Sequence, residues 1–182
     1  MGRKDVRSSY VYTSSRLKVR EDKYTLDGTE RVYDVVERSD SVVIIPITPT
    51  GRTVLLNHFR YPTQRLSVEV PMGGTNEGET SEQAAKRELC EETAIKANVL
   101  EHIGRFSPVP GLTAQKVDVY VAKVDDAKLD QASLESIEDD IEGLTTIEIS
   151  DVYRKAGRGE ITDGFTLSSL LLLRLYFENE SK

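Results

Sequence analysis

Three glutamates, Glu88, Glu91 and Glu92, lie within five residues of one another near the middle of this 182-residue chain. If a helix covers this stretch, the positions i, i+3 and i+4 place the three carboxylates on one face within one turn. Ionised carboxylates held at such short distances repel one another unless a cation lies among them. Hard oxygen ligands, without a nearby set of His and Cys ligands, favour Mg²⁺ or Mn²⁺ over zinc. The spacing therefore predicts a site for a divalent metal ion.

The residues around these glutamates predict the helix that must position them. Thr80 is followed three positions later by Gln83, which is the pattern of a capping box, and a run of strong helix formers comes next. We therefore expect a helix from about Ser81 to Thr93. Arg87 lies one turn before Glu91, where its guanidinium group can hold that carboxylate by a fork of hydrogen bonds.

The stretch from Gly73 to Ile95 resembles the Nudix box, a strand, loop and helix that binds divalent metal and cleaves diphosphates. After Gly73 come five residues and then Glu79, and after seven more comes Arg87-Glu88-Leu89-Cys90-Glu91-Glu92. Ala94 stands where the box has a glycine. That position ends the helix, normally in the left-handed conformation, where alanine costs roughly 1 kcal/mol more than glycine.

The resemblance implies a role for each residue of the box. The implied metal ligands are Glu88, Glu92, Glu91 and the carbonyl of Met72. Glu91 either coordinates the metal or lies just outside its ligands, and it is also a candidate catalytic residue. Arg87 and Glu79 orient the cluster, with Arg87 counted among the catalytic residues. Gly73 has a structural role, because a residue without a side chain lets the backbone approach the metal closely.

Composition indicates a globular protein of one domain, or of one domain with a small appendage. The chain is 38% hydrophobic and 30% charged, and its one cysteine, Cys90, excludes an intramolecular disulfide framework. The first twenty residues contain no apolar run of the signal-peptide type, and the longest apolar stretch, residues 170–173, is too short to span a membrane. The net charge of −7 argues against a general nucleic-acid binder. We therefore expect a cytoplasmic protein without a membrane partner, for which nucleic acid is an improbable ligand.

Apolar patterning predicts a mixed sheet with helices on both sides. Residues 41–47 are continuously apolar, as in a strand buried on both faces, and Asp27-Gly28 marks a hairpin turn. The other expected strands cover residues 10–12, 23–26, 31–36, 53–60, 97–104, 116–124 and 144–149, and further helices cover 151–156 and 166–177. About nine strands and two or three helices resemble the α/β/α sandwich of Nudix proteins. We expect an N-terminal antiparallel β segment at residues 1–40 and the Nudix domain at residues 41–182.

Features outside the box resemble the branch of the family that acts on ADP-ribose and nucleoside-diphosphate sugars. A strand-rich segment precedes the core, and Phe59-Arg60-Tyr61-Pro62 followed by residues 68–74 is similar to the branch's approach to its box. Pro110 stands fifteen residues after Ile95, which is a marker of ADP-ribose-type members. Gly159-Glu160-Ile161, with Asp163 and Thr166, is similar to the branch's approach to its last helix. The acidic residue common after Pro-Gly is replaced here by residues 112–115, Leu-Thr-Ala-Gln, which widens the expected substrates to other sugar nucleotides.

Three residues are assigned to the substrate. Arg60 is expected to bind a phosphate or the terminal ribose, because a guanidinium group forks onto phosphate, although a surface ion pair is an equal alternative. Tyr61 either stacks on a base or packs in the core. Glu69, which lies in the segment leading to the box, is the third residue assigned to substrate binding.

The general base is sought in the densest acidic run of the chain. Residues 124–151 hold ten carboxylates and one lysine. Within that run we select Glu138 as the base, with Asp139 and Asp140 as alternatives and Glu91 as the candidate within the box. The two histidines, His58 and His102, lie in strand-like contexts and are interpreted as structural.

The resemblance implies a metal-dependent hydrolase of ADP-ribose or related sugar nucleotides, giving a nucleoside monophosphate and a sugar phosphate. Two alternatives stay open, namely a Nudix enzyme that acts on dinucleoside polyphosphates or RNA 5′ ends, and a non-catalytic Nudix ligand sensor. In the branch, N-terminal strands pack across a two-fold axis and help to build the partner's pocket. We therefore expect a homodimer formed through the N-terminal segment.

Overall fold

The computed structural model describes residues 4–133 and 140–180, which group into two compact units. The first unit contains an antiparallel sheet of three strands, β1 (Lys4–Thr13), β2 (Lys18–Leu26) and β3 (Thr29–Glu37), in the order β1-β2-β3. Asp27 and Gly28 join β2 to β3 with φ of 51° and 76°. Two central residues with positive φ are characteristic of a tight hairpin turn, so the predicted hairpin is confirmed.

A distant loop, residues 107–116, belongs to this first unit. The amide of Val36 donates to the carbonyl of Leu112 at 2.9 Å, and the Tyr33 hydroxyl donates to the carbonyl of Gly111. The side-chain amide of Gln115 donates to the carbonyl of Ser39 at 2.8 Å. Pro110 therefore lies in a loop that is hydrogen-bonded to the N-terminal sheet.

Within residues 41–106, 117–133 and 140–180, the second unit contains two sheets and four helices. One sheet consists of β4 (Ser41–Ile47), β7 (Met72–Gly74), β8 (Leu100–Phe106) and β9 (Val117–Lys123), in the order β7-β4-β9-β8. This sheet is mixed, because β4 and β9 run parallel while the other neighbours are antiparallel. The other sheet has the order β10-β5-β6, with β5 at Arg52–Arg60, β6 at Arg65–Glu69 and β10 at Ile141–Glu148. The helices are α1 (Ser81–Thr93), α2 (Asp126–Asp130), α3 (Ile149–Gly157) and α4 (Gly164–Glu180).

Strand β4 separates two hydrophobic cores, which explains its continuously apolar sequence. Val42 and Ile44 pack in one core with α1 residues Ala84, Ala85 and Leu89. The alternate residues of β4, Val43 and Ile45, pack in the other core with Val152 of α3 and with Leu170 and Leu173 of α4. Because successive side chains of a strand point to opposite faces, this division places helices on both sides of the sheet. The predicted α/β/α arrangement with a mixed sheet is confirmed.

The boundaries of α1 agree with the prediction, whereas three short elements were not expected. Strand β6, strand β7 and helix α2 span five, three and five residues, too short to show a hydrophobic period. The strand expected at 97–104 lies instead at 100–106, and Ile149 begins α3 rather than ending a strand. In the described part of the chain, no helix combines the length and apolarity needed to cross a bilayer.

Ala94 occupies the left-handed position expected from the sequence. Its φ is 60° and its ψ is 2°, and its amide donates to the carbonyl of Cys90 at 2.9 Å. We expect Ala94→Gly to raise the free energy of unfolding by about 1 kcal/mol, because the strain of a Cβ in this conformation disappears. The midpoint of thermal unfolding should rise by about 2–4 °C. The control Ala127→Gly, inside α2, should lower the midpoint, and a fall in both variants would contradict the assignment.

Candidate metal centre

Helix α1 buries acidic residues as well as apolar ones. Its start is fixed by a reciprocal cap, in which the amide of Gln83 donates to the Thr80 hydroxyl and the side chain of Gln83 accepts from the Thr80 amide. From that start, Glu88 and Glu92 fall on a face that is turned inward, and they are only 7% and 3% exposed. A buried carboxylate is costly unless it is neutralised or hydrogen-bonded, so its partners identify the site.

Both buried carboxylates approach strand β7. The amide of Met72 donates to Oε2 of Glu92 at 3.0 Å. The carboxyl group of Glu88 lies directly against Gly73, at a place where any side-chain carbon on residue 73 would collide with it. The glycine predicted to be structural is therefore required by the close approach of Glu88. Met72 lies beside the ligand candidate Glu92, and coordination by its carbonyl stays a prediction.

Arg87 holds the rest of the cluster together. Its Nε and Nη2 donate to the two carboxylate oxygens of Glu79, each at 3.0 Å, and Nη1 donates to Glu88 at 2.7 Å and to Glu91 at 2.9 Å. Nη2 also donates to the carbonyl of Gly74 at 2.8 Å. The hydrogen bonds to Glu79, and then those to Glu88 and Glu91, raise the pKa of Arg87 against the opposing effect of burial. Arg87 thus remains charged and ties the helix to the strand beside it.

Glu79 is the anchor of this arrangement. The Arg87 guanidinium group, and then the amide of Asn76 at 3.0 Å, hold the pKa of the Glu79 carboxyl below its usual value. These contacts are of the kind that could orient the box, and the orienting role of Arg87 and Glu79 stays a prediction. Glu91 differs from its neighbours, because 54% of its side chain is exposed. It is thus open to solvent as well as bonded to Arg87.

A second arginine–carboxylate pair lies at the end of the β5–β6 hairpin. Arg60 forks onto Glu69, with Nε donating to Oε1 at 2.9 Å and Nη2 donating to Oε2. Burial lowers the pKa of Arg60, but the hydrogen bonds to Glu69 and the charges of Asp163 and Glu92 outweigh burial and raise it. Glu69 is almost fully buried, whereas 38% of the Arg60 side chain is exposed. Glu69 therefore positions Arg60, and the exposed part of Arg60 is what a ligand would meet.

The donor set fits a hard divalent cation. The cluster holds five carboxylates and two guanidinium groups, those of Glu69, Glu79, Glu88, Glu91, Glu92, Arg60 and Arg87. Three negative charges are left in excess, which a divalent ion would offset. Across residues 4–133 and 140–180, no three His, Cys, Asp or Glu side chains already stand in metal-binding geometry. The carboxylates are instead held by Arg87 and by the Met72 amide.

The remaining residues selected from the sequence are Glu138, its alternatives Asp139 and Asp140, and Tyr61. Glu138 and its alternative Asp139 fall in residues 134–139, which the structure does not describe. The backbone carbonyl of Asp140, the second alternative, accepts from the amide of Phe59 at 2.7 Å. Tyr61 is 75% exposed, which excludes core packing in this chain and leaves its ring open to a ligand.

The two histidines lie on strands, and their structural role stays a prediction. His58 is buried in β5. On β8, Nε2 of His102 lies 2.7 Å from Oδ1 of Asp118, and its ring packs edge-on against Tyr120. These contacts stabilise the β8–β9 pair. They are separate from the contacts of the carboxylate cluster.

Sequence reasoning did not assign a site role to the start of α4. Thr166 is fully buried, and its hydroxyl accepts a hydrogen bond from the amide of Val70 at 3.3 Å. The charge of Asp163 acts on Arg60. In the sequence, Asp163 and Thr166 stood out only as part of a family resemblance. No local pattern predicts a contact such as that between Val70 and Thr166, which are 96 positions apart.

Comparison with known proteins agrees with this geometry. A family model described as the NUDIX domain matches residues 37–164. An ADP-ribose pyrophosphatase of Bacillus subtilis (strain 168) is 28% identical over 155 residues, which cover 85% of this chain and 83% of that protein. A methanol dehydrogenase activator of Bacillus methanolicus is 26% identical over 173 residues, covering 94% and 92% of the two chains. A solved structure, described as the crystal structure of ADP compounds hydrolase, superposes with a TM-score of 0.73 at 21% identity, covering 97% and 95%, and shows the shared fold.

Proposed function

The chain belongs to the Nudix family, and from that premise we propose that it hydrolyses the diphosphate bond of ADP-ribose and related nucleoside-diphosphate sugars. The products are a nucleoside monophosphate and a sugar phosphate. One observation carries the proposal, namely the two buried carboxylates of α1 that meet Met72 and Gly73 beside Arg60. The relative from Bacillus subtilis, named an ADP-ribose pyrophosphatase, supports this choice of substrate.

Different residues of the cluster have different proposed roles. Glu88, Glu92 and the carbonyl of Met72 would hold Mg²⁺, with Mn²⁺ as the alternative ion and Glu91 as a further ligand. A divalent ion bound there would supply positive charge to neutralise the diphosphate oxygens and would lower the pKa of water for in-line attack. Arg87 keeps Glu88 and Glu91 in place by hydrogen bonds. The use of a divalent metal is general among Nudix hydrolases, which supports this assignment.

The attacking water must lose a proton to a base. Glu91, the candidate within the box, is half exposed, and the alternative Asp140 also lies within the described residues. Glu138 stays the first choice, outside the described residues. Replacement of Glu91 and of Glu138 by glutamine, followed by the pH dependence of kcat, distinguishes the two.

Arg60 is proposed to bind a phosphate or the terminal ribose. We expect Arg60→Lys to raise KM for ADP-ribose about 10-fold with a smaller change in kcat, because an ammonium group cannot fork onto a phosphate. Glu69→Gln should act in the same direction, since the guanidinium group loses its buried anchor. Steady-state kinetics with Arg65→Lys, the facing residue of the hairpin, as control would measure both effects. The proposed role would be refuted if Arg60→Lys and Glu69→Gln had the same KM for ADP-ribose as the control Arg65→Lys.

A panel of substrates tests the proposed function. Turnover with Mg²⁺ and a coupling phosphatase is measured for ADP-ribose, ADP-glucose, UDP-glucose, GDP-mannose, a dinucleoside tetraphosphate and a nucleoside triphosphate. We expect turnover of the sugar nucleotides that is abolished by a chelator and restored by added Mg²⁺. Preference for the tetraphosphate would instead select the dinucleoside polyphosphate alternative.

A second candidate function is that of a sensor or regulator. The relative named a methanol dehydrogenase activator spans nearly the whole of this chain, which favours this candidate over other non-enzymatic roles. Binding of one panel compound without turnover would support it. Turnover that depends on the metal would exclude a purely non-catalytic role.

We further propose a homodimer formed through the first unit. Among the described residues of its sheet, strands β1 and β3 carry large exposed aliphatic and aromatic side chains. They are Val6, Tyr10, Val11, Tyr12, Val32 and Tyr33. Surfaces of that kind mark protein interaction sites. Light scattering at micromolar concentration should give the mass of two chains, and a monomeric mass would refute the proposal. The cytoplasmic location stays a prediction.

A further inference from the structure

Helix α4 begins against the segment that leads into β7. The carbonyl of Asp163 accepts from the amide of Leu167 at 3.0 Å, and its carboxylate accepts from the amide of Thr166 at 2.6 Å. Asp163 thus caps the helix and fixes the residue at its third position. The hydroxyl of Thr166, fully buried, accepts from the amide of Val70 at 3.3 Å. A threonine on the last helix is therefore hydrogen-bonded to the backbone just before the site.

Val70 lies between the two halves of the candidate site. On its N-terminal side, Glu69 holds Arg60. On its C-terminal side, the carbonyl of Pro71 accepts from the amide of Ile44 at 2.8 Å, and the amide of Met72 donates to Glu92 at 3.0 Å. A shift of Val70 would therefore move both the anchor of Arg60 and the backbone beside the ligand candidates.

We propose that Thr166 is a positioning residue for the metal site. By accepting from the Val70 amide, its hydroxyl keeps the segment from Glu69 to Gly73 in register with helix α1. Arg60 and Glu92 then stay at their working separation. This inference rests on the proposed function, because it assigns Thr166 a task in that same site.

The helix supplies a matched control. Ser169 is also fully buried on α4, and its hydroxyl has no hydrogen-bond partner among the described residues. Removing the Ser169 hydroxyl therefore perturbs the same helix without breaking a bond to the site. A role in general stability and a role in positioning can thus be separated.

The test compares Thr166→Val, Thr166→Ser and Ser169→Ala with the unaltered full chain. Free Mn²⁺ is followed by electron paramagnetic resonance to give the dissociation constant of the metal, and kcat and KM are measured with ADP-ribose. Thr166→Val should weaken Mn²⁺ binding about 10-fold and lower kcat about 10-fold, which is the scale for residues that support metal ligands. Thr166→Ser and Ser169→Ala should stay within about two-fold of the unaltered chain.

Several results would overturn the inference. Thr166→Val with unaltered Mn²⁺ affinity and kcat, but a lower thermal midpoint, would show that the hydroxyl only stabilises the fold. Equal losses in Thr166→Val and Ser169→Ala would show the same. If Thr166→Val does not fold, Thr166→Ala is measured by the same two readouts. Failure of the unaltered chain to bind Mn²⁺ or hydrolyse the panel would instead refute the proposed function itself.

Discussion

Glu92→Gln is expected to lower kcat for ADP-ribose about 10³-fold, while the protein stays folded. The amide of glutamine is neutral, so it contributes no charge to a divalent ion held beside Glu88. It retains a carbonyl oxygen that can accept from the Met72 amide, which donates to Glu92 at 3.0 Å. The metal-free variant should unfold at the same temperature as the unaltered protein or above it, because one of several crowded negative charges is gone.

The control for this substitution is Glu82→Gln. Glu82 lies on the same helix, is exposed and pairs with Lys86 at 2.6 Å. Its replacement should leave kcat within about two-fold, since exposed pairs of this kind contribute little. Turnover by Glu92→Gln equal to that of the control would show that Glu92 is not a metal ligand.

Gly73→Ala is expected to lower kcat at least about 100-fold, although alanine is the smallest change available. The new Cβ would occupy the space of the Glu88 carboxyl group. Either Glu88 leaves its position beside Arg87 or β7 moves away from helix α1, and both outcomes disrupt the site. Kinetics with Mg²⁺ and thermal unfolding of the metal-free protein measure the two consequences.

The neighbouring glycine provides the control. A Cβ built on Gly74 meets nothing within 4 Å, so Gly74→Ala should turn over ADP-ribose within about three-fold of the unaltered protein. The stability lost in Gly73→Ala should be partly recovered in the double variant with Glu88→Ala, because the colliding group is then absent. Equal effects of the two glycine substitutions would contradict the packing described here.

The parts of the site that depend on local sequence were predictable. The helix Ser81–Thr93, its cap and the bond from Arg87 to Glu91 all arise between residues at most four positions apart. The left-handed Ala94 follows from the same helix. These features need no knowledge of the rest of the chain, since they are set by capping and by the 3.6-residue period.

The parts that depend on distant contacts were not predictable from one sequence. Arg60 and Glu69 were both selected for the substrate, yet their pairing requires the register of the β5–β6 hairpin. The bond from Val70 to Thr166 joins residues 96 positions apart, and neither residue type signals it. Tertiary packing decides such contacts, so they appear only when the elements are assembled.

The first unit is assembled from two pieces of chain that lie about seventy positions apart, and this constrains how it can be exchanged between relatives. Strand β3 donates hydrogen bonds to the carbonyls of Leu112 and Gly111, from the Val36 amide and the Tyr33 hydroxyl, and the Gln115 side chain donates to the carbonyl of Ser39. A chimera that transplants residues 1–40 alone would separate these partners. The loop 107–116 would have to be transplanted together with residues 1–40. We therefore expect substitutions in these two segments to covary among relatives.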